Sequence, residues 1–200
     1  MSRLGTLLEV KTFTDVYWDV PHVFPLSTND MWLRQRDQQW QIKVPTKRAT
    51  RQKSSVVDVY DELYGVESIQ KHLQNTAKVE LSDSSLEFPT NFELTPFAKI
   101  TTHRSSFTLP LTSKNTLYDI RVDFDDASGY LIGECEIILD SHNESEMNSA
   151  HNLLMEFCTL HKLDTSTSIR GKVLEYIYNH SPSHYQALES AGLLQSKLVQ

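Results

Sequence analysis

Cations at alternate positions of two strand-like segments are the part of this sequence with the clearest chemistry. Residues 32–36 read Trp-Leu-Arg-Gln-Arg, and residues 40–44 read Trp-Gln-Ile-Lys-Val. Side chains alternate between the two faces of a strand, and opposed residues of an antiparallel pair share a face. A hairpin with its loop at 38–39 pairs residue 36 with 41 and residue 34 with 43. One face of this hairpin then carries Trp32, Arg34, Arg36, Gln41 and Lys43.

Three cations on so small a face repel one another unless an anion lies among them. A phosphate-bearing ligand would supply that anion, because guanidinium groups bind phosphate oxygens bidentately. Under this interpretation, replacing one cation with alanine relieves repulsion and leaves folding intact. The alternative is a solvated outer face with no ligand. A third segment places Arg104 among Thr102, Ser106 and Thr108, which adds a cation to another polar face.

Carboxylates occur inside two further strand-like segments. Asp123 lies in Ile-Arg-Val-Asp-Phe-Asp, and Glu134 and Glu136 lie in the otherwise apolar segment 131–139. A strand that is apolar on both faces is buried on both, and carboxylates there are costly unless they are paired with cations or a metal. Oxygen ligands of this kind suit a hard divalent ion such as Mg²⁺. An internal network of salt bridges is the alternative interpretation.

The elements that carry these residues are predicted from periodicity. Segments rich in β-branched and aromatic residues predict strands at 6–19, 30–36, 40–45, 56–63, 77–81, 98–111, 117–125 and 130–139. Helical periodicity predicts helices at 65–75, 144–162 and 171–179, and a last one opened by Ser181 and Pro182. Strands followed by helices predict an α+β fold, with an antiparallel sheet or closed barrel and helices packed outside.

Composition and charge narrow the class of protein. The 200 residues are 39% hydrophobic, which predicts a single domain over 1–200. A net charge of −7 disfavours a nucleic-acid partner and favours a small-molecule ligand. No apolar run is long enough to span a membrane, and the N-terminal residues do not form a secretory signal. With only two cysteines, the expected location is the cytoplasm.

An ordered series of motifs resembles a known family. The series is Asp15–Asp19, Trp32–Arg36, Trp40–Lys43, His103–Ser105, Arg121–Asp123 and Glu134–Glu136. It is similar to the CYTH superfamily of triphosphate tunnel enzymes. Within that superfamily, Trp32, the segment Tyr60–Leu63 and Lys172 look most like the thiamine triphosphatases.

The resemblance implies an eight-stranded antiparallel barrel with flanking helices and Mg²⁺-dependent hydrolysis of thiamine triphosphate to the diphosphate and phosphate. It implies that the triphosphate is bound by Arg34, Arg36, Lys43, Arg104 and Lys172. It also implies that Asp123, Glu134 and Glu136 hold Mg²⁺, with Glu134 also close to the substrate, and that Lys43 orients the attacking water. Trp32 would stack on the thiazolium, and Tyr60 and Glu62 would reach the thiamine moiety.

The match to the family pattern is partial at the first strand. The family carries Glu-x-Glu-x-Lys there, whereas this sequence offers only Glu9-Val10-Lys11, on the segment that corresponds to the family's second strand. The comparison therefore predicts a barrel without its first strand, weakened turnover, and self-association of an otherwise monomeric protein through open strand edges.

The sequence is also compatible with two other functions. One is hydrolysis of another triphosphate, inorganic or nucleotide, although inorganic triphosphate needs no stacking surface such as Trp32 and Tyr60 provide. The other is non-catalytic binding of a phosphorylated ligand.

Overall fold

The computed structural model describes residues 5–46, 58–76, 86–113, 116–140, 143–164 and 169–194. Seven strands lie in these ranges: β1 (Thr6–Asp19), β2 (Trp32–Arg36), β3 (Gln39–Pro45), β4 (Tyr60–Tyr64), β5 (Thr95–Ser113), β6 (Thr116–Ala127) and β7 (Tyr130–Ile137). Four α-helices accompany them: α1 (Val66–Thr76), α2 (Glu144–Leu160), α3 (Lys172–His180) and α4 (Pro182–Ser190). Short 3-10 turns occur at Ser27–Asn29 and Thr90–Phe92.

The strands form one sheet in the order β4-β3-β2-β1-β5-β6-β7. The pairs β1–β2, β2–β3, β3–β4, β5–β6 and β6–β7 are antiparallel. The predicted α+β fold with an antiparallel sheet is confirmed, and each predicted helix is present. The predicted strand at 77–81 lies outside the described residues. No helix in the described ranges is both long enough and apolar enough to cross a membrane.

Contacts divide the chain into two compact units. Unit 1 contains Met1–Thr12 and Thr102–Ile169, and unit 2 contains Phe13–Thr101 and Arg170–Gln200. Strands β1 and β5 contribute residues to both units. A single domain over 1–200 stays a prediction.

The core of unit 2 forms on the apolar face of β2 and β3. Leu33 and Ile42 are opposite one another in this hairpin and fully buried. Helix α1 buries Ile69 and Leu73, one turn apart, in the same cluster. Each such side chain contributes about 1.5–3 kcal/mol by leaving water. The predicted division of the hairpin is confirmed, since the apolar face packs in the core and the opposite face carries the cations.

The register of this hairpin differs from the prediction by two residues. Its loop is Asp37-Gln38, so Arg36 pairs with Gln39 and Arg34 pairs with Gln41. Both loop residues have positive φ, 46° and 72°, as a type I′ turn requires. Asp37 also accepts a 3.1 Å bond from the backbone N–H of Thr14 on β1. Because the shift is an even number of residues, every side chain keeps its predicted face.

A buried polar chain attaches α4 to the rest of unit 2. The hydroxyl of Ser27 donates to Asp19 Oδ2 at 2.7 Å, so it accepts from Nε2 of His184 at 2.7 Å. The imidazole stacks on the ring of Phe24, with centroids 3.8 Å apart, and its Nδ1 has no hydrogen-bond partner among the described residues. His184 is fully buried, and burial lowers its pKa to about 4.

The low pKa of His184 predicts an acid-sensitive fold. The folded protein favours the neutral imidazole, so stability is complete above about pH 6.5 and is lost as the pH falls towards 4. The free energy of unfolding falls by about 3 kcal/mol over this pH range. Urea titrations of the wild type and His184→Gln across this range measure it, because glutamine keeps an N–H donor and does not titrate. The difference between the two proteins isolates His184 from Asp19, whose pKa burial raises. Parallel pH profiles would contradict the prediction.

Candidate active site

The cation cluster of unit 2 consists of Arg34, Arg36 and Lys43, and the structure places anions among its members. The β1–β2 register sets Asp15 opposite Arg36. Their side chains form a bidentate pair, with Nε to Oδ1 and Nη2 to Oδ2 both at 2.7 Å. Asp15 is 1% exposed. The expected repulsion between the cations is therefore offset by carboxylates of the protein itself.

Arg34 is held from two sides. Its Nε donates to Gln41 Oε1 at 3.0 Å, and its Nη1 lies 3.8 Å from Asp15 Oδ2. Tyr17 is opposite Arg34 in the β1–β2 register and is buried. Burial raises the pKa of the Tyr17 phenol, so Tyr17 stays neutral. These contacts fix the guanidinium in one orientation while 12% of its side chain stays exposed.

Lys43 is opposite Glu62 in the β3–β4 register, and its Nζ lies 3.2 Å from Glu62 Oε1. The hydroxyl of Tyr64 donates to the other oxygen of Glu62. Burial disfavours charge on Glu62, but the bond from Tyr64 and the charge of Lys43 hold its pKa below the ordinary value. The bond to Glu62 raises the pKa of Tyr64 to about 12. Lys43 also lies 5.9 Å from the centroid of the Tyr60 ring.

Lys172 begins α3, and the fold brings it to the same aromatic ring as Arg36. Its Nζ lies 5.6 Å from the ring centroid of Phe13, and Arg36 Cζ lies 4.0 Å from that centroid. Phe13 is buried on β1, two residues before Asp15. Sequence alone does not distinguish Lys172 from a surface lysine; in unit 2 it lies near the cation cluster.

Unit 1 contains a second group of charges, the arginine–carboxylate cluster: Arg104, Arg121, Asp123 and Asp125. Arg104 pairs bidentately with Asp125, with both N–O distances at 2.7 Å, and also bonds to Asp123. Glu134 lies 3.6 Å from Arg104. Burial disfavours the charge of Arg104, but the bonds that it donates to Asp125 and the charges of Asp125 and Asp123 raise its pKa above the ordinary value. An open pocket of about 490 Å³ in unit 1 is lined in part by Arg104 and Asp125.

Arg121 links this cluster to β1. Its Nε lies 3.0 Å from Asp123 Oδ1, and its Nη2 lies 3.2 Å from Glu9 Oε1. Glu136, opposite Arg121 in the β6–β7 register, lies 3.6 Å away. Lys11 pairs with Glu9 at 2.7 Å. Glu9 and Lys11 thus contribute to the charges of unit 1.

The three carboxylates predicted to hold Mg²⁺ do not form a ready metal site. Both oxygens of Asp123 accept from arginines. Glu134 and Glu136 have side chains 48% and 36% exposed. Within the described ranges, no group of three or more His, Cys, Asp or Glu side chains is arranged to hold a metal ion. Two glutamates are nevertheless compatible with Mg²⁺, which is commonly bound by one or two carboxylates together with substrate phosphates. The Mg²⁺ site stays a prediction.

Sequence reasoning missed the acidic partners of several predicted site residues. Asp15, Asp30 and Asp125 each bond a predicted site residue, yet none was assigned a role. A signal was present for Asp15, because it alternates with Tyr17 and Asp19 along one strand face in the same way as the cations. The pairing of β1 with β2 and of β5 with β6 is what turns that alternation into ion pairs.

This chain is similar in sequence to known proteins. The family model described as CYTH domain matches residues 2–171, and the chain belongs to this family. The thiamine-triphosphatases of Homo sapiens and Macaca fascicularis are each 28% identical to the chain over 197 residues, covering 94% of this chain and 82% of the relative. A crystal structure from Bacillus halodurans, of a protein proposed to be an adenylate cyclase, aligns with a TM-score of 0.44 at 12% identity, over 86% of this chain and 95% of that one.

Proposed function

We propose that this chain hydrolyses thiamine triphosphate, releasing thiamine diphosphate and phosphate. The observation that carries the proposal is the polar face of unit 2, where Arg34, Arg36 and Lys43 are held beside Trp32 and Tyr60. Membership of the CYTH family supports a triphosphate as the substrate class. The names of the relatives support thiamine triphosphate in particular.

Phosphoryl transfer requires positioning and charge neutralisation more than covalent help from the protein. In this proposal, Arg34 and Arg36 bind phosphate oxygens through their guanidinium groups. Because Asp15 and Gln41 already orient them, little reorganisation is needed when the substrate arrives. Water attacks the terminal phosphorus, the bond to the bridging oxygen breaks, and the diphosphate leaves. Lys43 is the residue that we propose orients this water.

The residues of unit 1 keep the roles that the resemblance implies, as part of the same proposal. Arg104 would bind phosphate, and Glu134 and Glu136 would hold Mg²⁺ together with Asp123, whose two oxygens accept from Arg104 and Arg121. The ion, when bound, supplies further neutralisation of phosphate charge.

The aromatic residues of unit 2 favour thiamine triphosphate over inorganic triphosphate. A thiazolium is a cation, and a cation over the face of an indole is stabilised by about 0.5–2 kcal/mol. Trp32 and Tyr60 offer such surfaces on the face that carries Lys43. Inorganic triphosphate would use neither ring.

Phosphate release from thiamine triphosphate, inorganic triphosphate and ATP, with and without Mg²⁺, tests the proposal. We expect thiamine triphosphate to have the highest kcat/KM and Mg²⁺ to raise the rate. A higher kcat/KM for inorganic triphosphate or ATP would identify that compound, and not thiamine triphosphate, as the substrate. Binding without release from any of the three would instead identify a non-catalytic binder.

Magnesium is expected to bind weakly in the absence of a triphosphate. Asp123 is occupied by two arginines, and Mg²⁺ prefers to keep waters and to share phosphate oxygens. Titration calorimetry measures the affinity for Mg²⁺ alone and the affinity for thiamine diphosphate with and without Mg²⁺. The same titrations on Glu134→Gln show how much of the Mg²⁺ effect depends on Glu134. Diphosphate affinity that does not change with Mg²⁺ would contradict the metal role.

A further inference from the structure

One carboxylate oxygen joins the two aromatic residues of the proposed thiamine site. Asp30 Oδ1 accepts from Trp32 Nε1 at 2.9 Å and from the Tyr60 hydroxyl at 2.9 Å. Asp30 directly follows the 3-10 turn Ser27–Asn29, and its backbone N–H bonds to Ser27 O at 2.9 Å. Its φ is +60°, a left-handed conformation that ends the turn and starts the approach to β2.

The two rings come from strands that are not neighbours. Trp32 begins β2 and is opposite Lys43 on β3, whereas Tyr60 begins β4 and is opposite Pro45 on β3. Strand pairing fixes the backbone of both residues but does not determine the side-chain torsion angles of either ring. The shared bond to Asp30 fixes both, because an indole N–H and a phenol O–H reach one oxygen in few orientations.

The chemistry of the three groups keeps these bonds in place. Burial raises the pKa of Asp30, and the bonds from Trp32 and Tyr60 act against that rise by stabilising the carboxylate. Burial and the nearby charge of Asp30 raise the pKa of Tyr60, so Tyr60 stays a neutral donor.

We propose that Asp30 is a positioning residue that makes the site selective for a triphosphate bearing an aromatic cation, by fixing Trp32 and Tyr60 as a pair of ring surfaces. This inference rests on the proposed function. Asp30 does not itself contact the substrate; it acts through the two rings. Its side-chain hydrogen bonds go to these two residues of the proposed site, which distinguishes it from Asp19, whose bonds serve the buried attachment of α4.

Two substitutions of Asp30 distinguish its positioning of the two rings from an effect of its charge or of strain in its backbone. Asp30→Asn keeps an oxygen that accepts both bonds and removes the charge, and Asp30→Gly removes the side chain. Asparagine and glycine both tolerate a positive φ, so the backbone is matched. Calorimetry in chelator-containing buffer gives the Kd of each protein for thiamine triphosphate and for inorganic triphosphate, and thermal unfolding verifies that each variant is folded.

We expect Asp30→Gly to weaken binding of thiamine triphosphate by about tenfold more than binding of inorganic triphosphate. Asp30→Asn should change both by less than about threefold. If Asp30→Gly loses the same affinity for both ligands, Asp30 has only a structural role. If Asp30→Asn loses as much affinity for thiamine triphosphate as Asp30→Gly does, the effect comes from the charge of Asp30. Either result overturns the inference. If the wild type binds neither ligand, the proposed function fails and the inference fails with it. If the wild type prefers thiamine triphosphate and Asp30→Gly keeps that preference, only the inference fails.

Discussion

Replacing Arg34 with alanine is expected to lower kcat/KM for thiamine triphosphate by about 100- to 1,000-fold, the cost of removing one preorganised charge-stabilising donor. The protein should stay folded, because Asp15 keeps its bidentate bond to Arg36 and Tyr17 is a neutral group. Steady-state phosphate release measures the effect, and urea denaturation measures the stability.

A matched control exists in the same unit. Lys71 is an exposed cation on α1, so Lys71→Ala removes the same charge away from the polar face. We expect Lys71→Ala to keep kcat/KM within about twofold, because long-range effects of an exposed charge are screened at physiological salt. Equal losses in the two variants would show that Arg34 acts only through net charge and would contradict its place in the site.

Replacing Arg104 with alanine is expected to reduce the free energy of unfolding by about 3–5 kcal/mol, because it leaves buried Asp125 without its bidentate partner. This is a large part of the 5–15 kcal/mol that holds a typical protein folded. Urea denaturation with a spectroscopic signal measures it. The ion pairs thus reverse the expectation that removing a cation relieves repulsion.

The double variant Arg104→Leu with Asp125→Leu is the control for that loss. Replacing both members of a buried ion pair with apolar residues is often neutral, whereas removing one leaves an uncompensated charge. We therefore expect the double variant to be more stable than Arg104→Ala. A double variant as unstable as the single one would show that Arg104 stabilises through its bond to Asp123 or through packing, and not through the pair with Asp125.

The faces of the strands could be predicted from sequence because the side-chain period of a strand is two. This is why Leu33 and Ile42 lie in the core and Arg34 and Lys43 lie on the polar face. The exact register could not be predicted, because Asp37-Gln38 and Gln38-Gln39 are both credible loops by composition. The positive φ of Asp37 and its bond to Thr14 on β1, outside the hairpin, decide between them.

The ion pairs of the site could not be predicted, because they depend on which strands are neighbours. Asp15 meets Arg36 only because β1 pairs with β2, and Arg104 meets Asp125 only because β5 pairs with β6. Strand alternation and the resemblance to CYTH proteins indicated the cations but not these partners. Asp30 was missed for a related reason, since its importance lies in joining Trp32 and Tyr60 and not in its own position in a motif.

The most direct test of the proposed function is a product analysis of thiamine triphosphate incubated with the purified chain and Mg²⁺. Chromatography of the thiamine phosphates and an assay for free phosphate give the stoichiometry of the reaction. The proposed function predicts thiamine diphosphate and orthophosphate in equal amounts, formed by the wild type and by Lys71→Ala and strongly reduced with Arg34→Ala. No conversion by the wild type, or release of pyrophosphate with thiamine monophosphate, would contradict it.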